Sequence, residues 1–248
     1  MRQALFAAVW LISSAIPSLV CAEPGDSDWH FEVSKAIATE LADSPAWRLA
    51  TSYLRELGAN SQNWNLLLLQ AKVELQQGHL NEARDVITRA VAQYPDNPRI
   101  LIMAGNIASD CGDDASAIDY YEKAKKIQPR NPAIYLGLGR IHIGAQNWAA
   151  AIQNYETYRS FAEPTSEVLV RLAMAYENTG DLEKAESCLI RNSYVHPNRA
   201  MALMPLERFY IRQKMTEKAE ATSRERLKYQ NQNAPDTRNL RALAPSSR

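Results

Sequence analysis

The sequence predicts an all-α solenoid of helix-turn-helix pairs. Three observations predict it. Ala83, Ala117, Ala151, Ala185 and Ala219 stand 34 residues apart, and a fixed step of that length marks stacked supersecondary units. Within one step, Leu67, Ala71 and Leu75 share a helical face, and Leu80, Ala83, Ile87 and Ala90 share another. Gly78, Gly112 and Gly180 fall between the two halves, where a residue that tolerates left-handed backbone can end a helix. Only 9 of the 248 residues are glycine, which argues against a fold of many tight turns or phosphate-cradling loops.

In chain order, residues 1–22 read as a secretory leader. Arg2 is the only charge before Glu23, Ala4 to Ile16 is largely apolar, and Val20-Cys21-Ala22 precedes a cut expected after Ala22. A positive start, a short apolar core and a small residue at the cut are the parts of a signal peptide. The expected destination is the periplasm, across the inner membrane. The apolar run falls short of the roughly 20 residues that span a bilayer. No second run of that kind follows, so no membrane span is expected in the processed chain. Cys21 keeps a second reading open, as the lipid-bearing first residue of an anchored chain, although Val20 before it fits that motif poorly.

Residues 23–63 read as a degenerate helical pair. Trp29, Val33, Ile37 and Leu41 space as one helix face, and Trp47, Ala50, Leu54 and Leu57 as another. Five units follow over 64–233, at 64–97, 98–131, 132–165, 166–199 and 200–233. Leu67, Leu101, Tyr135, Leu169 and Leu203 form a bulky series, and Ile87, Tyr121, Tyr155 and Leu189 a second. Ala71, Gly105, Gly139 and Ala173 form a small series that Glu207 breaks. Asp113, Asn147 and Asp181 follow the turns, where their side-chain oxygens can cap the second helices. Pro95, Pro129 and Pro197 recur near the end of their units, with Glu163-Pro164 in the third. Proline there stops the second helix, because it lacks the N–H and disfavours helix just before it. Residues 234–248 contain Pro235, Arg238, Arg241, Pro245 and Arg248 without apolar periodicity and read as a disordered tail.

A 34-residue helix-turn-helix with small residues at its eighth, twentieth and twenty-seventh positions, and proline at its thirty-second, resembles the tetratricopeptide repeat. The resemblance covers most of the chain after the leader. It implies a right-handed solenoid whose first helices line a concave face for a protein or peptide partner. The fifth unit departs from it, with Glu207, Lys214 and Arg226 at small or glycine positions. A terminal unit with a polar outer face would do so. Tyr158 departs too, at the twenty-seventh position of the third unit.

Composition excludes some classes of function. With 28 basic and 28 acidic residues, no net field favours nucleic acid or an anionic membrane. No catalytic residue, cofactor or metal is expected. The four histidines, His30, His79, His142 and His196, contain no two at helical ligand spacing. His142 stands where Tyr176 and Tyr210 stand in later units, a packing position. No serine sits in a Gly-x-Ser-x-Gly elbow. Gly137-Leu138-Gly139 lies inside a predicted helix with no strand before it, unlike a dinucleotide loop. Cys111 and Cys188 lie two units apart. Units step by about 10 Å, against a bridging reach of about 7 Å between Cα atoms, so two free thiols are expected. Tyr121 and Tyr155 fall on the packing series, while Tyr120 and Tyr158 are open to packing or to surface recognition.

Family frame also implies the groove residues, at positions two, five, six, nine, twelve and thirteen of each unit. The polar ones are Asn65, Lys72 and Gln76; Arg99, Asn106 and Asp110; Arg140; Glu167, Arg171, Glu177 and Asn178; and Arg208 and Arg212. Arg140 and Arg171 are expected to project inward from adjacent units and to contribute most to binding an acidic partner. Some relatives clamp a terminal carboxylate with lysine, asparagine and arginine. Leu68 stands where one such lysine would, and that activity is not expected. The expected function is a non-enzymatic interaction scaffold or adaptor of the cell envelope, supporting a pilus, secretion or export complex. An accessory subunit that binds an enzyme or chaperone through the groove stays open as the alternative. A hydrolase within a helical shell has no motif in its favour.

Ala117→Leu and Ala151→Leu should overpack the contact within a helix pair and cost about 1–3 kcal/mol each. Thermal unfolding measures this, and unchanged melting of both variants contradicts the frame.

Overall fold

The computed structural model describes residues 64–232, and all their regular structure is helical. The helices are α1 (Trp64–Gln76), α2 (Leu80–Gln93), α3 (Pro98–Asp110), α4 (Asp114–Ile127), α5 (Pro132–Gly144), α6 (Trp148–Phe161), α7 (Ser166–Asn178), α8 (Leu182–Val195), α9 (Arg199–Arg212) and α10 (Thr216–Gln232). The all-α class expected from the sequence is the class observed. The leader, the pair at 23–63 and the tail at 234–248 lie outside the described residues. The chain divides into two compact units, Met1–Gly137 and Leu138–Arg248.

Helix starts have a common cause. The side chains of Asp113, Asn147 and Asp181 accept from Ser116, Ala150 and Lys184 N–H at 3.1, 3.3 and 3.2 Å. Each satisfies a backbone donor that a helix N-terminus leaves unpaired. A second set of caps, unremarked in the sequence, opens the first helices. Asn97, Asn131 and Asn198 Oδ1 accept from Arg99, Ala133 and Met201 N–H at 3.0, 3.1 and 3.0 Å, and Thr165 Oγ1 accepts from Val168 N–H at 3.4 Å. His79 holds a capping position but makes no side-chain cap, and its Nδ1 lies 3.0 Å from Glu74 Oε2 instead.

The turn between paired helices is left-handed at one residue of each pair. Gly78, Gly112 and Gly180 adopt φ of 77°, 79° and 84°. Gln146 and Lys214 occupy the same step with φ of 55° and 58°. The turn is thus built twice without glycine, at a cost of about 1–2 kcal/mol each.

In the unit Met1–Gly137, the core gathers Leu67, Ala71, Ala83, Val86, Ile87, Ala90, Ile100, Ala104 and Ile107. In the unit Leu138–Arg248 it includes Tyr155, Leu169, Leu172, Ala185, Leu189 and Phe209. Two series of the repeat trade volume across each pair. A Cβ on Gly105 would lie 2.8 Å from the Tyr121 ring, and one on Gly139 would lie 2.6 Å from Tyr155 Cε1. Contacts that short do not occur, so the tyrosines fit only where the eighth position lacks a methyl. Where that position is Ala71 or Ala173, the twenty-fourth is Ile87 or Leu189.

The third and fourth units depart differently. Tyr158 is buried, which settles it as a packing residue, and half-buried Tyr120 packs against the first core. At the same position in the next unit, buried Asn192 accepts from the Ser166 hydroxyl at 2.5 Å and donates to the Ala202 carbonyl at 3.1 Å. In the last pair, Arg226 Nε meets Glu207 Oε2 at 2.6 Å, so an ion pair stands at the two positions that hold small residues in the first two pairs.

Gly139→Ala should cost about 1–3 kcal/mol because the Tyr155 ring must move. Adding Tyr155→Leu, which recreates the Ala173–Leu189 combination, should recover part of that loss. A double-mutant cycle in thermal unfolding reads this as a favourable coupling; simple additivity contradicts the volume trade.

Candidate functional site

The expected groove residues separate by what they touch. In the unit Met1–Gly137, Lys72, Gln76, Arg99 and Asp110 are exposed, and Asn65 is half-buried. Asn106 Oδ1 accepts from the Tyr121 hydroxyl at 2.7 Å, which ties it to the fold. Arg99 lies 5.8 Å from the centre of the Trp64 ring, beside an open depression also lined by Tyr94, Pro95 and Pro98.

In the unit Leu138–Arg248, the expected residues pair with one another. Arg140 Nε and Nη2 donate to the two Glu167 carboxylate oxygens at 2.7 and 2.6 Å, and Arg171 Nε adds a bond of 2.9 Å. Glu167 thus sits between the two arginines favoured for binding. At the far end of α7, Glu177 receives Arg212 Nε and Nη2 at 2.8 and 2.6 Å and Gln213 Nε2 at 2.9 Å. Both bidentate pairs join first helices of neighbouring pairs, and planar guanidinium suits that geometry. Hydrogen bonding from Arg140 holds the Glu167 carboxyl below the usual range, and hydrogen bonding from Arg212 does the same for Glu177. Asn178 and Arg208 remain exposed, and Arg208 makes no hydrogen bond or ion pair among the described residues.

The same face carries apolar side chains that the sequence reading passes over. Met174, Met201, Met204 and Ile211 are 44, 58, 38 and 61% exposed. They stand at the ninth, second, fifth and twelfth positions of their units, the positions from which only polar residues were carried over. An apolar residue at an outward repeat position was the available signal.

No group of three or more His, Cys, Asp or Glu among the described residues could hold a metal ion. Cys111 and Cys188 are free thiols, and burial pushes Cys188 up to about 11, which keeps it protonated and unreactive. Burial likewise pushes the Tyr155 phenol up to about 12.

Tetratricopeptide repeat models match residues 68–132 and 166–191. The chain carries tetratricopeptide repeats. Among solved structures, that of the pilF protein of Pseudomonas aeruginosa superposes with a TM-score of 0.64 at 18% identity, over 85% of this chain and 98% of that one. MamA from residue 41 onward, from Desulfovibrio magneticus, gives 0.63 at 16% identity over 71% and 99%. YrrB, described as a tetratricopeptide repeat protein with an unusual peptide-binding site, gives 0.57 at 18% over 72% and 92%. No curated protein matches in sequence. At these identities the likeness is one of fold, and the tetratricopeptide fold is a protein-interaction scaffold. No helix among the described residues is long and apolar enough to cross a membrane.

The lowered carboxyls make stability depend on pH. Both should contribute fully above the ordinary glutamate value of 4.5 and lose that contribution as pH falls through their lower folded values. The melting temperature should therefore fall on acidification below about pH 5, and Glu167→Gln with Glu177→Gln should flatten that slope. An unchanged slope contradicts the pairing.

Proposed function

We propose that the protein is a non-enzymatic adaptor of the cell envelope, which holds a partner protein on the exposed face of its first helices while a pilus, secretion or export complex assembles. The observation that carries the reading is the tetratricopeptide face itself. It presents long cations and apolar side chains outward from a core that does not need them. The leader read in residues 1–22 supports the compartment, with lipid attachment at Cys21 as the other route to the envelope. Protein and peptide partners suit this face, and the balanced net charge gives nucleic acid no overall electrostatic attraction.

Crosslinking in cells, with the chain tagged after Arg248 and the captured proteins identified by mass spectrometry, tests the proposal. Envelope-assembly components should be captured. Arg140→Glu with Arg171→Glu should reduce that capture, given a variant shown by melting to be folded. Capture of cytoplasmic proteins alone contradicts the compartment, and capture indifferent to both arginines moves the binding face elsewhere.

A further inference from the structure

On α9, Met201, Met204, Arg208 and Ile211 follow helical spacing as one outward stripe. The opposite side buries Ala202, Leu203, Leu206, Phe209 and Tyr210. Met174 of α7 belongs to the same face. It lies one turn before Glu177, which Arg212 and Gln213 of the adjoining segment grip. Each of these four apolar side chains is more than a third exposed, a concentration that marks interaction surface. Methionine is flexible and polarizable, so it adapts to differently shaped apolar groups.

Charge and backbone narrow the occupant. Arg140, Arg171 and Arg212 are paired with Glu167 and Glu177, and Glu207, the neighbour of Arg208, is paired with Arg226, so these helices still carry an excess of positive charge. Arg208 is the cation without a hydrogen bond or ion pair, and it stands within the apolar stripe. Pro205, inside α9, has no N–H for the Met201 carbonyl, so a backbone acceptor at the stripe lacks its usual helical donor. The chain's own last residues are a poor match, since Arg238, Arg241 and Arg248 outnumber Asp236. We propose that the α7–α9 face docks one acidic amphipathic segment of a partner protein, its apolar side chains against Met174, Met201, Met204 and Ile211 and a carboxylate against Arg208. This rests on the interaction-scaffold reading but not on the envelope assignment.

The test uses the full chain, isotope-labelled at its methionine methyls, titrated with three synthetic peptides. One carries leucine and phenylalanine on one helical face and aspartate on the other. A second replaces aspartate by lysine, and a third scrambles the apolar spacing. The acidic amphipathic peptide should shift the Met174, Met201 and Met204 signals and leave Met103 in place. Arg208→Glu should weaken its binding about tenfold. Met201→Ser with Met204→Ser, at exposed positions that leave melting unchanged, should weaken it as well. Equal binding of the lysine or scrambled peptide overturns the proposal. So do shifts that depend on protein concentration alone, which assign the face to a second copy of the chain. If peptide binding fails while cellular crosslinks still depend on Arg140 and Arg171, only the partner chemistry falls. If the peptide binds and no envelope component is captured, the adaptor reading falls alone.

Discussion

Close approach of two helices within a pair is the constraint on which the rest depends. It requires a position with little or no side chain, and the chain meets that need twice in each of the first four units. Fully buried Ala83, Ala117, Ala151 and Ala185 occupy one such position. The other holds alanine or glycine according to the bulk of the residue it faces. Gly105 and Gly139 make room for Tyr121 and Tyr155. The rings fill volume that Ile87 and Leu189 fill in other pairs, so packing density is kept while composition changes. The rings also carry hydroxyls into the interior. Tyr121 meets Asn106, whereas the buried Tyr155 hydroxyl has no partner among the described residues. A pair built on tyrosine therefore gains volume at the cost of a polar group to satisfy.

The last pair meets the constraint by other means. Ala219 keeps the first small position, but Glu207 holds the second and Arg226 the twenty-seventh position opposite it, and neither charged side chain is fully buried. Two long side chains can cross there because both keep contact with water. The ion pair remains partly hydrated and avoids most of the desolvation that a buried one would incur. The same reasoning covers Gln146 and Lys214. A left-handed turn residue on the surface suffers only its local backbone strain, which the packing of the two helices it joins offsets.

These differences explain what was legible in the sequence. Ala83 and its partners repeat because their burial allows no substitute, and the fold class followed from them. Asp113, Asn147 and Asp181 were legible as caps because a side-chain oxygen just before a helix has a specific job. The paired series at positions eight and twenty-four were each visible, but their exchange of volume was not, since the contact between them exists only once the helices meet. The outward face was the least legible part. Repeat position identifies which residues point away from the core, but not which of them bond to each other. Arg140 and Arg171 read as two cations ready for a partner, and the structure gives both to Glu167.

That pairing changes what the face can recognise. An arginine already held by a carboxylate offers a partner only what remains of its charge and its unused N–H groups. A competing acid must displace Glu167 or share it. The exchange gains little in water, because exposed ion pairs are worth on the order of 0–1 kcal/mol. Apolar contact has no such competitor. Burying Met201, Met204 or Ile211 removes surface from water without breaking any internal bond, at about 25 cal/mol per Å². Discrimination among partners on this face therefore follows apolar shape first. Arg208, which forms no hydrogen bond or ion pair among the described residues, adds the preference for an acid, and the Arg140–Glu167–Arg171 and Glu177–Arg212 groups keep α5, α7 and α9 aligned while binding occurs.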